Sequence, residues 1–172
     1  MKILVLIDGF NFENFGGAGR VFIETAKVLS FQGHSIDVIC RNDLDANYSN
    51  PYGIKFHHYE CRNLNLVKKY FHRRASIIRL LDEYLMHNIP KLVIVHSSSA
   101  ALGVNERLKG LSAPKIYVFH SPWCEEHRVN RTDPFPLSAL LYQLRKRGEG
   151  ECLDICNGVD RKSTRLNSSH GY

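Results

Sequence analysis

Two histidines close short apolar runs in this chain: His96 ends "KLVIVH" ahead of "SSSA", and His120 ends "KIYVFH" ahead of "SPWCEEHR". An imidazole titrates near neutrality and can give or take a hydrogen bond, so a histidine at the end of a buried strand suits hydrogen-bond or proton chemistry on a ligand. His120 is the candidate catalytic residue. Pro122 and Trp123 stiffen the loop behind it, and Glu125 and Glu126 can orient a polar network there. His96, with Ser97 after it, would line the same crevice, or else serve as a packed structural histidine.

A second candidate lies near the start. "FGGAGR", residues 15 to 20, stands between the apolar run "KILVLI" and the helical pattern "VFIETAKVLSFQGH". Glycines tolerate positive φ and let backbone N–H groups approach an anion, while a following helix adds its positive N-terminal end. Gly16, Gly17 and Gly19 therefore become candidate ligand-binding positions, and Arg20 adds a fork of donors matched to phosphate or carboxylate. The spacing is neither the dinucleotide fingerprint G-x-G-x-x-G nor a G-K-[ST] phosphate loop. A glycine turn serving only strand-to-helix packing is the plain alternative.

Other chemistries find less support. The nucleophile elbow G-x-S-x-G of serine hydrolases is absent. His120 and His127 are separated by a proline without a fixed ligand set around them, which disfavours a metal site. The five cysteines (Cys40, Cys61, Cys124, Cys152, Cys156) are an odd number without repeated metal-ligand spacing, so reduced thiols are expected.

Placing these residues requires strands that alternate with helices. "KILVLI" (2–7), "SIDVIC" (35–40), "IKFHHY" (54–59), "KLVIVH" (91–96) and "KIYVFH" (115–120) read as strands buried on both faces. Helical patterns fall near 18–32, 64–87, 98–110 and 136–147. Gly33, Pro90, Gly110 and Pro114 supply the stops. Such a βαβ series predicts an α/β fold: a Rossmann-like, doubly wound parallel sheet with helices on both faces. Ligands in these sheets bind outside the carboxyl ends of the strands, which directs attention to Asp8–Arg20, Arg41–Asp45, His96–Ser99 and the chain from His120 onward.

The 172 residues suit one domain, and 44% hydrophobic content can fill a core. The apolar start is too short for a secretory segment, and a cytoplasmic location is the default expectation. The helix at 64–87 places Val67, Tyr70, Phe71, Ile77, Ile78, Leu81 and Leu85 on one face, with Lys68, Lys69, His72, Arg73 and Arg79 beside it. That basic face is either solvated or a peripheral contact with an anionic membrane surface through Lys68, Lys69, Arg73 and Arg79. The net charge is +6, of which residues 160–172 hold three basic and one acidic side chain, leaving +4 for the rest. This excess fits an anionic ligand and does not call for nucleic acid. The segment "DRKSTRLNSSHGY" offers almost no apolar surface and is expected to be a disordered tail after a domain of residues 1–159. Its residues 160–170 also resemble a translated sequencing-library adapter, which implies that the natural protein continues past Val159.

Several fragments fall into one order. "GGAGRVFIETAKVLSFQGHSIDVIC", "KLVIVHSSSAALG", "KIYVFHSPWCEEHR" and "LDICNGV" together resemble the N-terminal domain of GT-B fold glycosyltransferases of the family 4 type. The resemblance implies retaining transfer of a sugar from a nucleotide diphosphate sugar to a saccharide or lipid-linked acceptor, without a metal or other cofactor, in a cleft between two Rossmann-like domains. By position it puts Gly17 and Gly19 near the donor diphosphate or the acceptor, and His120 beside the transferred sugar as a hydrogen-bonding group. Arg20 and Glu126 become acceptor-side or structural groups. The stretch from Arg147 to "LDICNGV" is shorter than the family pattern, and the second domain, with its paired glutamates, is missing. The chain alone is therefore expected to be inactive. A non-catalytic Rossmann-like domain binding a nucleotide or phosphorylated ligand is the alternative.

Overall fold

The structure is a computed structural model that describes residues 1–8, 17–41, 52–60, 66–101, 103–120, 137–156 and 158–160. Six strands form one parallel sheet in the order β3-β2-β1-β4-β5-β6. They are β1 (Lys2–Leu6), β2 (Ser35–Arg41), β3 (Lys55–Tyr59), β4 (Leu92–Val95), β5 (Lys115–Val118) and β6 (Gly158–Asp160). The helices are α1 (Gly17–Phe31), α2 (Leu66–His87), α3 (Ser98–Ala101), α4 (Asn105–Lys109) and α5 (Leu137–Ile155).

Side chains alternate across a strand, so each central strand feeds two cores. On one face Ile3, Val5 and Ile7 meet Ile36, Val38 and Cys40, closed over by Phe22 and Ala26 of α1. On the other face Leu4 and Leu6 join Ile39, Val93 and Val95, covered by Ile77, Leu81 and Tyr84 of α2, Ala100 and Ala101 of α3, and Cys152 and Ile155 of α5. Each large aliphatic side chain buried in this way contributes about 1.5–3 kcal/mol. Burial on both faces explains why β1, β2 and β4 read as continuous apolar runs, whereas β3, expected to be buried likewise, lies at the sheet edge and exposes Lys55 and His58.

The first helix ends as expected. Gly33 takes φ +76°, its N–H donates to the Ser30 carbonyl at 2.9 Å, and the His34 N–H donates to the Leu29 carbonyl at 3.1 Å. This is the six-to-one and five-to-two pattern of a glycine-terminated helix.

Elsewhere the structure departs from the sequence reading. The helix expected over 98–110 is two short helices, because Gly103 adopts φ +91°, which a right-handed helix cannot accommodate; a Cβ at this position would also meet the Arg74 side chain. The last helix does not stop at 147 but continues through Gly148 and Gly150 to Ile155, since Cys152 and Ile155 pack into the core. A sixth strand was not foreseen. Asp160 belongs to it, in register with Val118, so the boundary expected at 160 falls inside an element. Residues 161–172 lie outside the described residues. Phe71, expected on the buried face of α2, is 60% exposed.

No helix among the described residues is long and apolar enough to cross a membrane. Among the described residues Cys40, Cys152 and Cys156 are not joined in disulfides, and Cys61 and Cys124 fall outside the described residues.

Candidate functional site

The sheet order reverses between β1 and β4: β1 leads outward to β2, and β4 leads the other way to β5. Ligand crevices of open parallel sheets form outside the carboxyl ends of the strands at such a point. Asp8 follows β1 there, and His96, Ser97 and Ser99 follow β4.

Fold and sequence bring the two histidines together. Nδ1 of His96 lies 3.3 Å from Nε2 of His120, and the rings stack with centroids 5.5 Å apart. His96 is 3% exposed, and Phe22 of α1 meets its ring edge to face. Burial, followed by the neighbouring His120, pushes the His96 pKa down to about 3. His96 is thus a neutral imidazole with one N–H to give. Its Nε2 is buried, with no hydrogen-bond partner among the described residues.

Beside this pair lies a polar hub that sequence reading did not assemble. Asp8 Oδ1 accepts a hydrogen bond from the Tyr59 hydroxyl at 2.6 Å, and Oδ2 accepts one from Ser99 Oγ at 2.8 Å. Arg73 Nη2 stands 2.9 Å from Oδ1, off the line of a directed hydrogen bond, so the contact is an ion pair by distance. The Asp8 carbonyl accepts from the Arg41 N–H at 2.9 Å. Burial raises the Asp8 pKa, but the Arg73 charge, the Tyr59 and Ser99 hydrogen bonds and the Arg41 charge outweigh it and hold the carboxyl below its ordinary value. Burial first, and then the Asp8 charge, drive the Tyr59 phenol upward. Ser97 Oγ and Ser99 Oγ are 2.6 Å apart.

The other expected positions divide clearly. Gly17 opens α1 and Gly19 follows in its first turn, with Arg20 exposed beside them. Gly16 and Glu126 lie outside the described residues. The basic face of α2 is smaller than expected. Arg73 turns inward to Asp8 and is 20% exposed, which removes it from a membrane-facing set. Arg79 is 73% exposed and faces Glu83 at 3.8 Å. Lys68 is exposed, and the Lys69 side chain is outside the description. Among the described residues no group of three or more histidine, cysteine or acidic side chains could hold a metal ion. The site as built can orient a ligand by hydrogen bonds from neutral groups at the strand ends, with one ionised carboxylate held behind them.

The family model described as Glycosyltransferase Family 4 matches residues 15–161. The chain belongs to glycosyltransferase family 4. Its fold agrees with that assignment. A sucrose-phosphate synthase from Thermosynechococcus elongatus overlays on 92% of this chain with a TM-score of 0.65, at 13% identity. Looser overlays are found with CalG4, the calicheamicin glycosyltransferase, at a TM-score of 0.49, 16% identity and 86% of this chain, and with the lipopolysaccharide outer core galactosyltransferase WaaB at 0.46, 22% identity and 68%. The family 4 domain spans 41%, 42% and 32% of those three chains respectively. No protein with a curated description matches it in sequence. Within the family 4 domain the histidine pair and the Asp8 hub occupy the carboxyl edge of a Rossmann-like sheet.

Two signals could have pointed to the hub. Asp8 is a charge at the end of an otherwise apolar strand, and Tyr59 closes another. Arg73 gave none, because it lies 65 residues from Asp8 within a run of basic residues.

Proposed function

We propose that this domain forms the acceptor-side wall of a retaining glycosyltransferase, which moves a sugar from a nucleotide diphosphate sugar to an acceptor hydroxyl in glycan or glycolipid synthesis. The observation that carries the reading is the stacked pair of His96 and His120 at the carboxyl ends of neighbouring strands in a family 4 domain. A neutral imidazole at such an edge can hold a sugar hydroxyl or a developing partial charge by hydrogen bonding, without forming a covalent bond to the substrate. His120 takes that role, and His96 orients it. Gly17, Gly19 and Arg20, at the start of α1, stand where a phosphate of the donor or acceptor meets the positive end of the helix. Ser97 contributes a further hydroxyl, and Glu126 an acceptor-side carboxylate.

Transfer needs donor and acceptor held in a near-attack geometry between two walls, and positioning of that kind is worth about 7–11 kcal/mol of barrier. One wall is encoded in these residues, so the domain by itself transfers no sugar, and no metal ion takes part. The test is to recover a longer reading frame that carries a second βα domain and assay it with a panel of nucleotide diphosphate sugars in the presence of a chelator. Transfer with retention of anomeric configuration supports the reading. Inversion, or activity abolished by the chelator, overturns it.

A further inference from the structure

We propose that Asp8 is a positioning residue that acts through Ser99 to fix Ser97 as a hydrogen-bond acceptor, so that the crevice at this point takes a ligand hydroxyl and refuses an anion. The identity of the ligand as a sugar or polyol rests on the function proposed above, whereas the polarity of the site follows from proton counting alone.

Ser99 is 4% exposed, and its Oγ donates to Asp8 Oδ2 at 2.8 Å. A hydroxyl carries one proton. At its second contact, with Ser97 Oγ at 2.6 Å, Ser99 must therefore accept, and Ser97 must donate. The one proton of Ser97 is committed inward, and only its lone pairs remain for a ligand. Ser97 is half-buried directly after His96, at the carboxyl end of β4. Among the described residues Ser99 is its side-chain partner.

The direction of this relay is set at its far end. Asp8 Oδ1 faces the Tyr59 hydroxyl at 2.6 Å and the Arg73 guanidinium at 2.9 Å. A guanidinium can only donate, and the carboxylate beside it can only accept. Asp8 therefore cannot return a proton to Ser99, and the chain Ser97 to Ser99 to Asp8 runs one way. A hydroxyl brought to Ser97 finds an acceptor. A sulfate or fully ionised phosphate oxygen finds lone pairs facing lone pairs.

Asp8→Asn should invert the relay. Arg73 and Tyr59 keep the amide oxygen on their side, so the amide NH₂ turns toward Ser99 and donates to it. The Ser99 hydroxyl then donates its hydrogen bond to Ser97, each hydroxyl keeping its own proton, and the Ser97 O–H becomes available to a ligand. Ser99→Ala frees the same proton by removing its acceptor, and Ser99→Thr keeps the hydroxyl and should keep the wild-type polarity.

The experiment is an NMR titration of the ¹⁵N-labelled 172-residue chain with two probes: methyl α-D-glucopyranoside, whose hydroxyls can donate or accept, and sodium sulfate, which only accepts. In the wild type the glucoside should shift the Ser97 amide in a saturable way and sulfate should not compete for it. In Asp8→Asn the ratio of the two dissociation constants should move about tenfold toward sulfate, the scale of the one hydrogen bond that sulfate gains, while the glucoside keeps its own because its hydroxyls accept as well as donate. Should Asp8→Asn not fold, Ser99→Ala decides the matter by the same ratio, with Ser99→Thr as the rescue. A folded Asp8→Asn or Ser99→Ala chain with the wild-type ratio overturns the proposal. So does a wild type in which sulfate holds Ser97 as well as the glucoside does, or in which the glucoside leaves Ser97 unmoved. An inactive long reading frame would sink the transferase reading and leave this ratio as it is.

Discussion

Nδ1 of His96 and Nε2 of His120 share one hydrogen bond at 3.3 Å between stacked rings. One nitrogen must hold the proton and the other must accept it, so the contact survives only while at least one of the two facing nitrogens stays unprotonated. Burial keeps His96 neutral, so its ring is free to share that one proton with His120.

Replacing His120 with alanine in the longer enzyme should lower turnover more than it lowers stability. Loss of one group that stabilises developing charge typically reduces kcat about 10²-fold or more, whereas His120 is only half-buried. Initial rates and urea midpoints measured on the same preparation check this. A variant that unfolds while its specific activity holds would identify His120 as a structural residue.

His96 makes the fold sensitive to acid. Its pKa falls from an ordinary 6.5 to about 3 on folding, so the unfolded chain binds a proton that the folded chain refuses. The stabilising contribution is complete above pH 6.5 and is lost as pH falls from there toward 3. At about 1.4 kcal/mol per unit, moving from pH 6.5 to 5 should remove about 2 kcal/mol. Urea titrations at the two pH values should show this loss in the wild type and a flatter dependence in His96→Phe; equal slopes would refute it.

Asp8→Ala leaves the Tyr59 hydroxyl, the Ser99 hydroxyl and the Arg73 guanidinium around a hole. Breaking a fully buried ion pair costs about 3–5 kcal/mol. The Asp8 side chain retains 22% exposure, which admits water and lowers the expected loss to about 2–3 kcal/mol. Chemical denaturation of the purified chain measures it, and a loss under 1 kcal/mol would show that the hub holds nothing together.

Gly103→Ala should destabilise more than Gly33→Ala, although both glycines have positive φ. A left-handed backbone costs a side chain about 1–2 kcal/mol. At Gly33 a Cβ meets open space, while at Gly103 it also meets the Arg74 stem. Thermal melts of the two variants rank them, and a reversed order would mean that Arg74 moves aside freely.

Calorimetry of the 172-residue chain with nucleotide diphosphate sugars should find no dissociation constant below about 1 mM, close to 4 kcal/mol of binding. Micromolar affinity, or measurable transfer by this chain, would overturn the division of labour between two domains.

Local pattern by itself determined the parallel α/β fold of this family 4 domain, the strand ends where the candidate site lies, and the glycine stop at Gly33, because each depends on apolar spacing or on backbone freedom within a few residues. It also brought His96 and His120 forward, since both close visible strands. Tertiary structure decided the rest. Whether 98–110 is one helix depended on how Gly103 turns beneath Arg74, a residue from another helix. Whether α5 ends at 147 or 155 depended on the core offered to Cys152 and Ile155. Arg73 reads in sequence as one cation among several on a basic face, and only the return of α2 across the sheet sets it 2.9 Å from Asp8. Spacing along a chain reports which faces are apolar, but the partner of a buried charge is chosen by strand order, and here Asp8, Tyr59, Arg73 and Ser99 meet only because β1, β3, α2 and α3 converge at the carboxyl edge of one sheet.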